Sequence, residues 1–110
     1  MNYKLIVACV KPEYSDQTVD AAKESGATGA TILPGRGTGM HEAKTFFGLT
    51  LEARTDVILF LVDSPLVQPL LDAISKASKF EEPGTGIAYV VDVDKAIGME
   101  SQTRQNLQQS

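Results

Sequence analysis

Residues 56–77, DVILFLVDSPLVQPLLDAISKA, contain the pattern that determines the fold of this chain. Asp56–Val62 is a nearly continuous apolar run of strand length, rich in residues that favour β-structure. A helix start follows, in which Ser64 is the cap and Pro65 takes the first helical position. The apolar residues beyond that point recur at helical spacing. Pro69 predicts either a distorted first turn or a regular helix that begins near Gln68. The stretch therefore predicts a strand followed directly by an amphipathic helix.

The rest of the chain supplies three further strands and one further helix. The strands are predicted at Leu5–Val10, Thr28–Leu33 and Ile87–Val93, where apolar and β-branched residues are bounded by proline or glycine. The helix is predicted to begin with Ser15 as its N-cap and to end at Gly26. The order βαββαβ predicts an α+β, ferredoxin-like fold, in which two helices cover one face of a four-stranded antiparallel sheet.

Two glycine-rich segments lie beside predicted strand ends. The first glycine segment, Gly35–Gly39, has three glycines in five residues, which argues against a regular element there. The second glycine segment, Gly84–Gly86, is predicted to be a turn. Backbone N–H groups with little steric cover form nests that bind phosphates or other anions. From the residues alone, two anion-binding nests and two ordinary turns are equally acceptable interpretations.

The segment Met40–Thr55 is mostly polar and shows no clear period. It is therefore predicted to be a long loop, and loops of that length usually have a function. An apolar pair with a polar rim inside it indicates a surface for contact with a partner, formed by His41, Glu42, Lys44, Phe46 and Phe47. The alternative is that the two phenylalanines pack against the protein's own core.

The predicted strands are apolar on both faces. In Leu5–Val10 and Val57–Val62 the residues that point to either side of the sheet are apolar, whereas a sheet with one solvated face should alternate apolar and polar residues. Because two helices cover only one face, the other would expose a patch large enough for an interface. Self-assembly through that face is the favoured interpretation, and a C-terminal segment folded across it is the alternative.

Composition limits the classes of function. The chain has 110 residues, a net charge of −4 and one cysteine. We expect one domain over residues 1–99, a polar, mobile tail over 100–110 and a cytoplasmic location. The charge does not fit nucleic-acid binding, and the apolar runs are too short for insertion into a membrane. Because His41 is the only histidine and no nucleophile–base set or metal-ligand spacing occurs, the sequence predicts neither an enzyme nor a metal site.

Five short motifs, in order and at matching spacing, resemble the PII nitrogen-regulatory signalling family over residues 4–97. These motifs are Lys11-Pro12, Gly26–Thr31, Arg36–Gly39, Gly84–Gly86 and Tyr89–Val93. The resemblance implies a homotrimer of ferredoxin-like subunits with three nucleotide sites in the clefts between them. It also implies a regulated enzyme or membrane transporter as partner, a role in nitrogen regulation and no catalysis.

The resemblance assigns roles to particular residues. Segment 37–55 is similar to the T-loop, which contacts partner proteins, and segment 80–86 is similar to the B-loop. The implied site takes an adenine nucleotide or another small anionic effector, and no other cofactor is required. Its residues are Thr31, Arg36, Gly37, Thr38, Gly39, Gly84, Thr85 and Gly86. The rival interpretation is a CutA-type trimeric cation-responsive protein, which shares the fold.

The chain departs from the family pattern at three cationic positions. PII proteins typically carry a phosphate-contacting lysine where this chain has Ile87, and two C-terminal arginines of the family fall at about Gly98 and Glu100. Each charge-assisted contact with a phosphate contributes about 1.5–3 kcal/mol, so tight binding of ATP in the usual manner is not expected. The loop also lacks a tyrosine, so the uridylylation known for some PII proteins has no acceptor in it.

Overall fold

The computed structural model describes residues 2–37, 44–46, 49–51 and 53–99. The helices of this part are α1 (Ser15–Glu24) and α2 (Val67–Ala77). The strands are β1 (Tyr3–Val10), β2 (Thr31–Gly37), β3 (Lys44–Phe46), β4 (Leu49–Leu51), β5 (Ala53–Asp63) and β6 (Gly86–Asp92). With the short β3–β4 hairpin set aside, the element order is βαββαβ, as predicted.

The main sheet has the strand order β2–β5–β1–β6, and its three strand pairs are all antiparallel. The central strand β1 places Ile6 opposite Phe60 of β5 on one side and opposite Val90 of β6 on the other. β3 and β4 pair with each other in a separate two-stranded sheet. The predicted α+β, ferredoxin-like fold is confirmed, and β2 and β6 are the edges of its main sheet.

The hydrophobic core lies between the main sheet and the two helices. Alternate residues of β1 and β5 form its sheet side, and the helices close it. Its most buried members are Ile6, Ala8, Val10, Ala22, Ile58, Phe60, Val62, Leu70 and Ile74. Full burial of a side chain as large as isoleucine or phenylalanine contributes about 1.5–3 kcal/mol. Inside this core the hydroxyl groups of Thr18 and Ser78 share a hydrogen bond of 2.7 Å, which joins α1 to α2.

The start of α1 differs from the sequence prediction, because Ser15 is not its N-cap. A single 3-10 turn, Pro12–Tyr14, precedes the helix, so Tyr14 takes the cap position and Ser15 is the first helical residue. The Ser15 hydroxyl instead donates a hydrogen bond of 2.5 Å to the carboxylate of Asp56 on β5. A charged carboxylate is a stronger hydrogen-bond partner for this hydroxyl than the backbone at a helix cap offers, and it comes from a strand distant in sequence. The local sequence around Ser15 therefore could not indicate this partner.

The start of α2 also corrects one residue of the prediction. The carboxylate of Asp63, not the side chain of Ser64, accepts the hydrogen bond from the Ser64 N–H, at 2.9 Å. A 3-10 turn, Ser64–Leu66, contains Pro65, and the regular helix begins at Val67. This start, one residue before Gln68, agrees with the alternative of a late helix start, and Pro69 lies in the first turn of the regular helix. Neither helix of the described part is long and apolar enough to cross a bilayer.

Both helices end in a Schellman motif. In each, the second residue after the cap donates its N–H to the carbonyl five positions back, at 3.0 Å. The residue with positive φ is Gly26 in α1, at +117°, which confirms the predicted helix stop. In α2 it is Lys79, at +57°, and its ammonium lies 5.3 Å from the ring centroid of Tyr14. Lysine is strained in this conformation, whereas glycine is not.

Strand β2 is longer and later than predicted. It runs from Thr31 to Gly37, so it passes through Pro34 and includes the first residues of the first glycine segment. The prediction that this segment has no regular structure is therefore wrong for Gly35–Gly37. Proline is tolerated in an edge strand, and β2 is such a strand. Residues 35–37 are held as a strand because they pair with Thr55, Arg54 and Ala53 of β5. The glycines by themselves do not favour a strand.

The predicted loop Met40–Thr55 contains regular structure as well. β5 begins at Ala53 instead of Asp56, and β3 pairs with β4 in antiparallel register, with Thr45 opposite Thr50. The prediction of an unstructured loop is wrong at these positions, because pairing between distant residues overrides an irregular local pattern. The predicted tail, 100–110, lies outside the described residues.

The face of the main sheet opposite the helices, the open face, is apolar. Four large apolar side chains there, Leu33, Ile87, Tyr89 and Val91, are 43–62% exposed. Residues 93–99 leave these side chains exposed, so the alternative of a covering C-terminal segment finds no support up to residue 99. The predicted second apolar face is present in the folded chain.

Candidate functional site

The two glycine segments lie at the same end of the main sheet but on opposite edges. One row of residues crosses the sheet from Pro34 through Asp56 and Val10 to Gly86, each opposite the next. Two strands separate the ends of this row, so β2 and β6 are roughly 14 Å apart at strand spacings near 4.8 Å. Within one chain, the described residues of the predicted ligand set therefore lie in two groups on opposite edges of the sheet, called here the β2 half-site and the β6 half-site.

The β2 half-site contains Thr31, Arg36 and Gly37. Thr31 lies opposite Leu59 on the open face and is exposed. Arg36 lies on the side of the sheet that carries the helices, opposite Arg54, and both arginines are exposed. Among the described residues, a Cβ added at Gly37 would meet Thr55 Cγ2 at the ordinary distance of 3.8 Å. The described part of the chain therefore gives no steric reason for a glycine at this position.

The β6 half-site is the turn that leads into β6. Gly84 and Gly86 both have positive φ, +76° and +143°. A Cβ at Gly86 would lie 2.1 Å from the carbonyl oxygen of Cys9 on β1, so only glycine fits there. Thr85 is 3% exposed, and its hydroxyl lies 2.7 Å from the Lys79 carbonyl oxygen. In this chain the Thr85 hydroxyl thus holds the turn closed, and Gly84 and Gly86 on either side of it are half-buried.

Two of the three positions where the family carries cations are described. Ile87 is 62% exposed at the start of β6, on the open face and opposite Cys9. Gly98 is exposed, and a Cβ added there would meet no atom of the described residues within 4 Å. Neither position offers a positive charge to a ligand near the second glycine segment. Glu100 lies outside the described residues.

The residues predicted to contact a partner are described only in part. Lys44 and Phe46 are the first and last residues of β3. The remaining predicted residues of the first glycine segment and of the loop lie outside the described part of the chain: Thr38, Gly39, His41, Glu42 and Phe47. Over the described ranges, no three histidine, cysteine, aspartate or glutamate side chains are grouped so as to hold a metal ion.

Sequence reasoning did not place Arg54 beside the β2 half-site, where the structure has it opposite Arg36. It fell inside the segment predicted to be a loop, and register alone places it across from Arg36. A signal was present, because extending the third strand back from Asp56 keeps the alternation of strand faces and brings Arg54 onto the same side as Asp56. The pairing partner, however, depends on β2 passing through Pro34, which local sequence disfavours.

Comparison with protein-family models identifies the chain. The model described as nitrogen regulatory protein P-II matches residues 3–103. A search of the curated proteins gave no match. The family match spans nearly the whole chain and includes every strand and helix of the main sheet and its cover. The chain belongs to the P-II nitrogen regulatory protein family.

Proposed function

We propose that this P-II family regulator is a homotrimer that binds a small anionic effector, an adenine nucleotide, in the clefts between subunits. Binding of the effector shifts the conformation of segment 37–55, which controls a partner enzyme or membrane transporter in nitrogen regulation. P-II family proteins are regulators and not enzymes, so no catalytic step is assigned to the chain.

The observation that carries the proposal is the division of the ligand residues between opposite edges of one sheet. Arg36 and Gly37 lie on β2, and Gly84 and Gly86 lead into β6, at the same end of the sheet. Within a single chain β5 and β1 separate these two edges by roughly 14 Å, so one subunit does not gather these residues around one point. A second subunit that places its β6 edge beside this β2 edge would complete the site.

The open face supports assembly on energetic grounds. Its exposed apolar side chains, among them Leu33, Tyr89 and Val91, lie on both edge strands of one continuous sheet surface. Patches of this kind mark interfaces in soluble proteins, because burying apolar surface contributes about 25 cal/mol per Å². Assembly through the open face removes this surface from water and leaves the ligand half-sites at its margins.

The topology of segment 37–55 supports its role as a separate arm. Its β3–β4 pair belongs to a two-stranded sheet of its own and not to the main sheet. The arm leaves the main sheet at Gly37 and returns at Ala53, and these two residues lie directly opposite each other. A change at the β2 half-site therefore acts on the base of the arm.

This register also defines a sharp test of the arm. Because Gly37 and Ala53 are cross-strand neighbours, residues 38–52 can be replaced by Asn-Gly, a two-residue turn suited to hairpins, without breaking the β2–β5 pairing. The oligomer should remain intact in light scattering or native mass spectrometry, and capture of a partner should be lost. A second variant, with Phe46 and Phe47 both changed to serine, keeps the arm and tests its apolar pair. Unchanged partner capture by the turn variant would contradict the role of the arm.

The effector and the assembly are tested with the wild-type protein. Isothermal titration with ATP, ADP, AMP, cyclic nucleotides, bicarbonate and divalent metal ions should show nucleotide binding, with little preference for the triphosphate because Ile87 and Gly98 bring no charge. Native mass spectrometry should show a trimer. A response to metal ions without one to nucleotides would favour the CutA-type alternative, and a monomer would refute the inter-subunit site.

A further inference from the structure

The hydroxyl group of Thr85 is bonded inside the turn that leads into β6, residues 79–86, called here the β6 turn. Thr85 is 3% exposed, and its hydroxyl oxygen lies 2.7 Å from the carbonyl oxygen of Lys79 and 2.9 Å from that of Glu82. A hydroxyl has one hydrogen, so the two carbonyls share this donor. A side chain that is buried in this way, with both acceptors in its own turn, is not available to a ligand.

The residue at the other end of this hydrogen bond has a strained backbone. Lys79 has a φ of +57°, and among the described residues it is the one residue other than glycine with positive φ. Its carbonyl accepts a hydrogen bond from the Glu82 N–H, at 3.0 Å, as well as from the Thr85 hydroxyl. Strained residues persist where the surrounding structure fixes them. These two hydrogen bonds therefore fix the β6 turn to the end of α2 at Lys79.

The glycines on either side of Thr85 give the β6 turn its capacity to bind an anion. Gly84 and Gly86 have φ values of +76° and +143°. The Gly84 N–H donates no hydrogen bond to a described residue, so it is open to an oxygen atom of an anion. Gly86 lies against the backbone of Cys9. Backbone N–H groups in such turns form anion-binding concavities, and these depend on the turn keeping its shape.

We infer that Thr85 is a positioning residue of the effector site. Its hydroxyl holds the β6 turn in the shape that presents the backbone of Gly84 and Gly86 to a phosphate group, and its side chain does not contact the effector. The inference rests on the proposed nucleotide site, and it changes the role that the resemblance implied for Thr85 from contact to support. A turn that is already ordered binds more tightly than a mobile one, because less conformational entropy is lost on binding.

The role of the hydroxyl is tested by isothermal titration of full-length variants with pyrophosphate, AMP, ADP and ATP. We expect Thr85→Val to weaken binding on the order of threefold to tenfold, the change that corresponds to one net hydrogen bond. Thr85→Ser keeps the hydroxyl and should restore the affinity of the wild type. The matched control is Thr18→Val, which removes an equally buried hydroxyl that bonds to Ser78 and not to the β6 turn.

Circular dichroism at the titration temperature separates positioning from a loss of stability. Each variant is titrated under conditions in which its unfolding curve shows fully folded protein, because a lower free energy of unfolding then leaves the dissociation constant unchanged. Both valine variants should have lower urea midpoints than the wild type, since each removes a buried hydrogen bond. Only Thr85→Val should also bind the ligands more weakly.

The outcomes distinguish failure of the positioning role from failure of the proposed function. If Thr85→Val binds nucleotides as the wild type does, or if Thr85→Ser binds as weakly as Thr85→Val, the positioning role is wrong and the nucleotide site stands. If fully folded Thr18→Val loses as much affinity as Thr85→Val, the loss is not specific to the β6 turn and the positioning role is again wrong. If the wild type binds neither pyrophosphate nor any nucleotide, both the positioning role and the nucleotide effector are refuted, while the arm is still judged by its own turn variant.

Discussion

Replacing Gly86 by alanine should severely destabilise the protein. The added methyl group would lie 2.1 Å from the carbonyl oxygen of Cys9 and 3.0 Å from Cε1 of Phe80. The φ of Gly86 is +143°, where residues other than glycine are strained by about 1–3 kcal/mol. The clash is with backbone of β1, which is paired on both sides and cannot retreat without breaking sheet hydrogen bonds.

The expected loss follows from these two contributions. Strain at Gly86, together with loss of a hydrogen bond or two at the Val10–Gly86 end of the β1–β6 pair at about 1 kcal/mol each, amounts to about 2–5 kcal/mol. That is a large part of the 5–15 kcal/mol by which domains are usually stable. The assay is urea unfolding followed by far-ultraviolet circular dichroism, at matched protein concentrations because assembly makes apparent stability concentration-dependent.

Gly37→Ala is the matched control for this experiment. Its φ is not positive, and the added Cβ would meet Thr55 Cγ2 at 3.8 Å, an ordinary contact. Such a substitution should change the free energy of unfolding by less than about 1 kcal/mol, and it can even stabilise by restricting the unfolded chain. If Gly86→Ala unfolds within about 0.5 kcal/mol of the wild type, or if both variants lose the same amount, the steric reasoning is refuted. Nucleotide binding by Gly37→Ala would separately test whether a ligand approaches that backbone closely.

Three further predictions concern the helices and the sheet edge. Thr18→Val should lower the free energy of unfolding in urea by about 1–3 kcal/mol, because it removes the buried hydrogen-bond partner of the Ser78 hydroxyl. Adding Ser78→Ala should recover part of that loss. If the losses of the two single variants simply add in the double variant, the two hydroxyl groups are not coupled. Lys79→Gly should stabilise the protein by about 0.5–1 kcal/mol, because glycine adopts a φ of +57° without strain. The gain is reduced by whatever the lost contact between the Lys79 ammonium and a tyrosine ring contributes. A lower urea midpoint than that of the wild type would contradict this prediction. The hydrogen bond from Lys4, and then its charge, lower the pKa of Asp92 from its usual value of 3.8, so the pair's small contribution is complete above that value and is lost as the pH falls through the lower, folded pKa. Thermal melts of Asp92→Asn should therefore approach those of the wild type in acid, and a difference that grows as the pH falls would be the wrong sign.

Much of the fold was accessible from local pattern. Apolar runs of strand length and the helical spacing after Asp63 predicted the order βαββαβ, and the double apolar character of β1 and β5 predicted an exposed second face. Positive φ at Gly26, Gly84 and Gly86 confirms that these glycines mark a helix end and a turn. Each of these features depends on residues close together in sequence, and for that reason a linear reading detects them.

The candidate site was accessible only in part. Motif order indicated the glycine segments, but not that the Thr85 hydroxyl is bonded inside its own turn or that Ser15 donates to Asp56. From local sequence, the Thr85 hydroxyl could equally well bind a ligand, and the Ser15 hydroxyl could equally well cap its helix. The partner that each hydroxyl takes depends on which group packing brings within hydrogen-bond distance.

By itself, the sequence determined the four strands of the main sheet and the two helices, their order, the two apolar sheet faces and the family. Tertiary structure alone decided that Gly35–Gly37 pairs as strand, that Arg36 lies opposite Arg54, and that the two glycine segments occupy opposite edges of one sheet. The physical reason is that strand register is a contact between distant parts of the chain. Its free energy comes from cross-strand hydrogen bonds and packing, which local propensity does not contain.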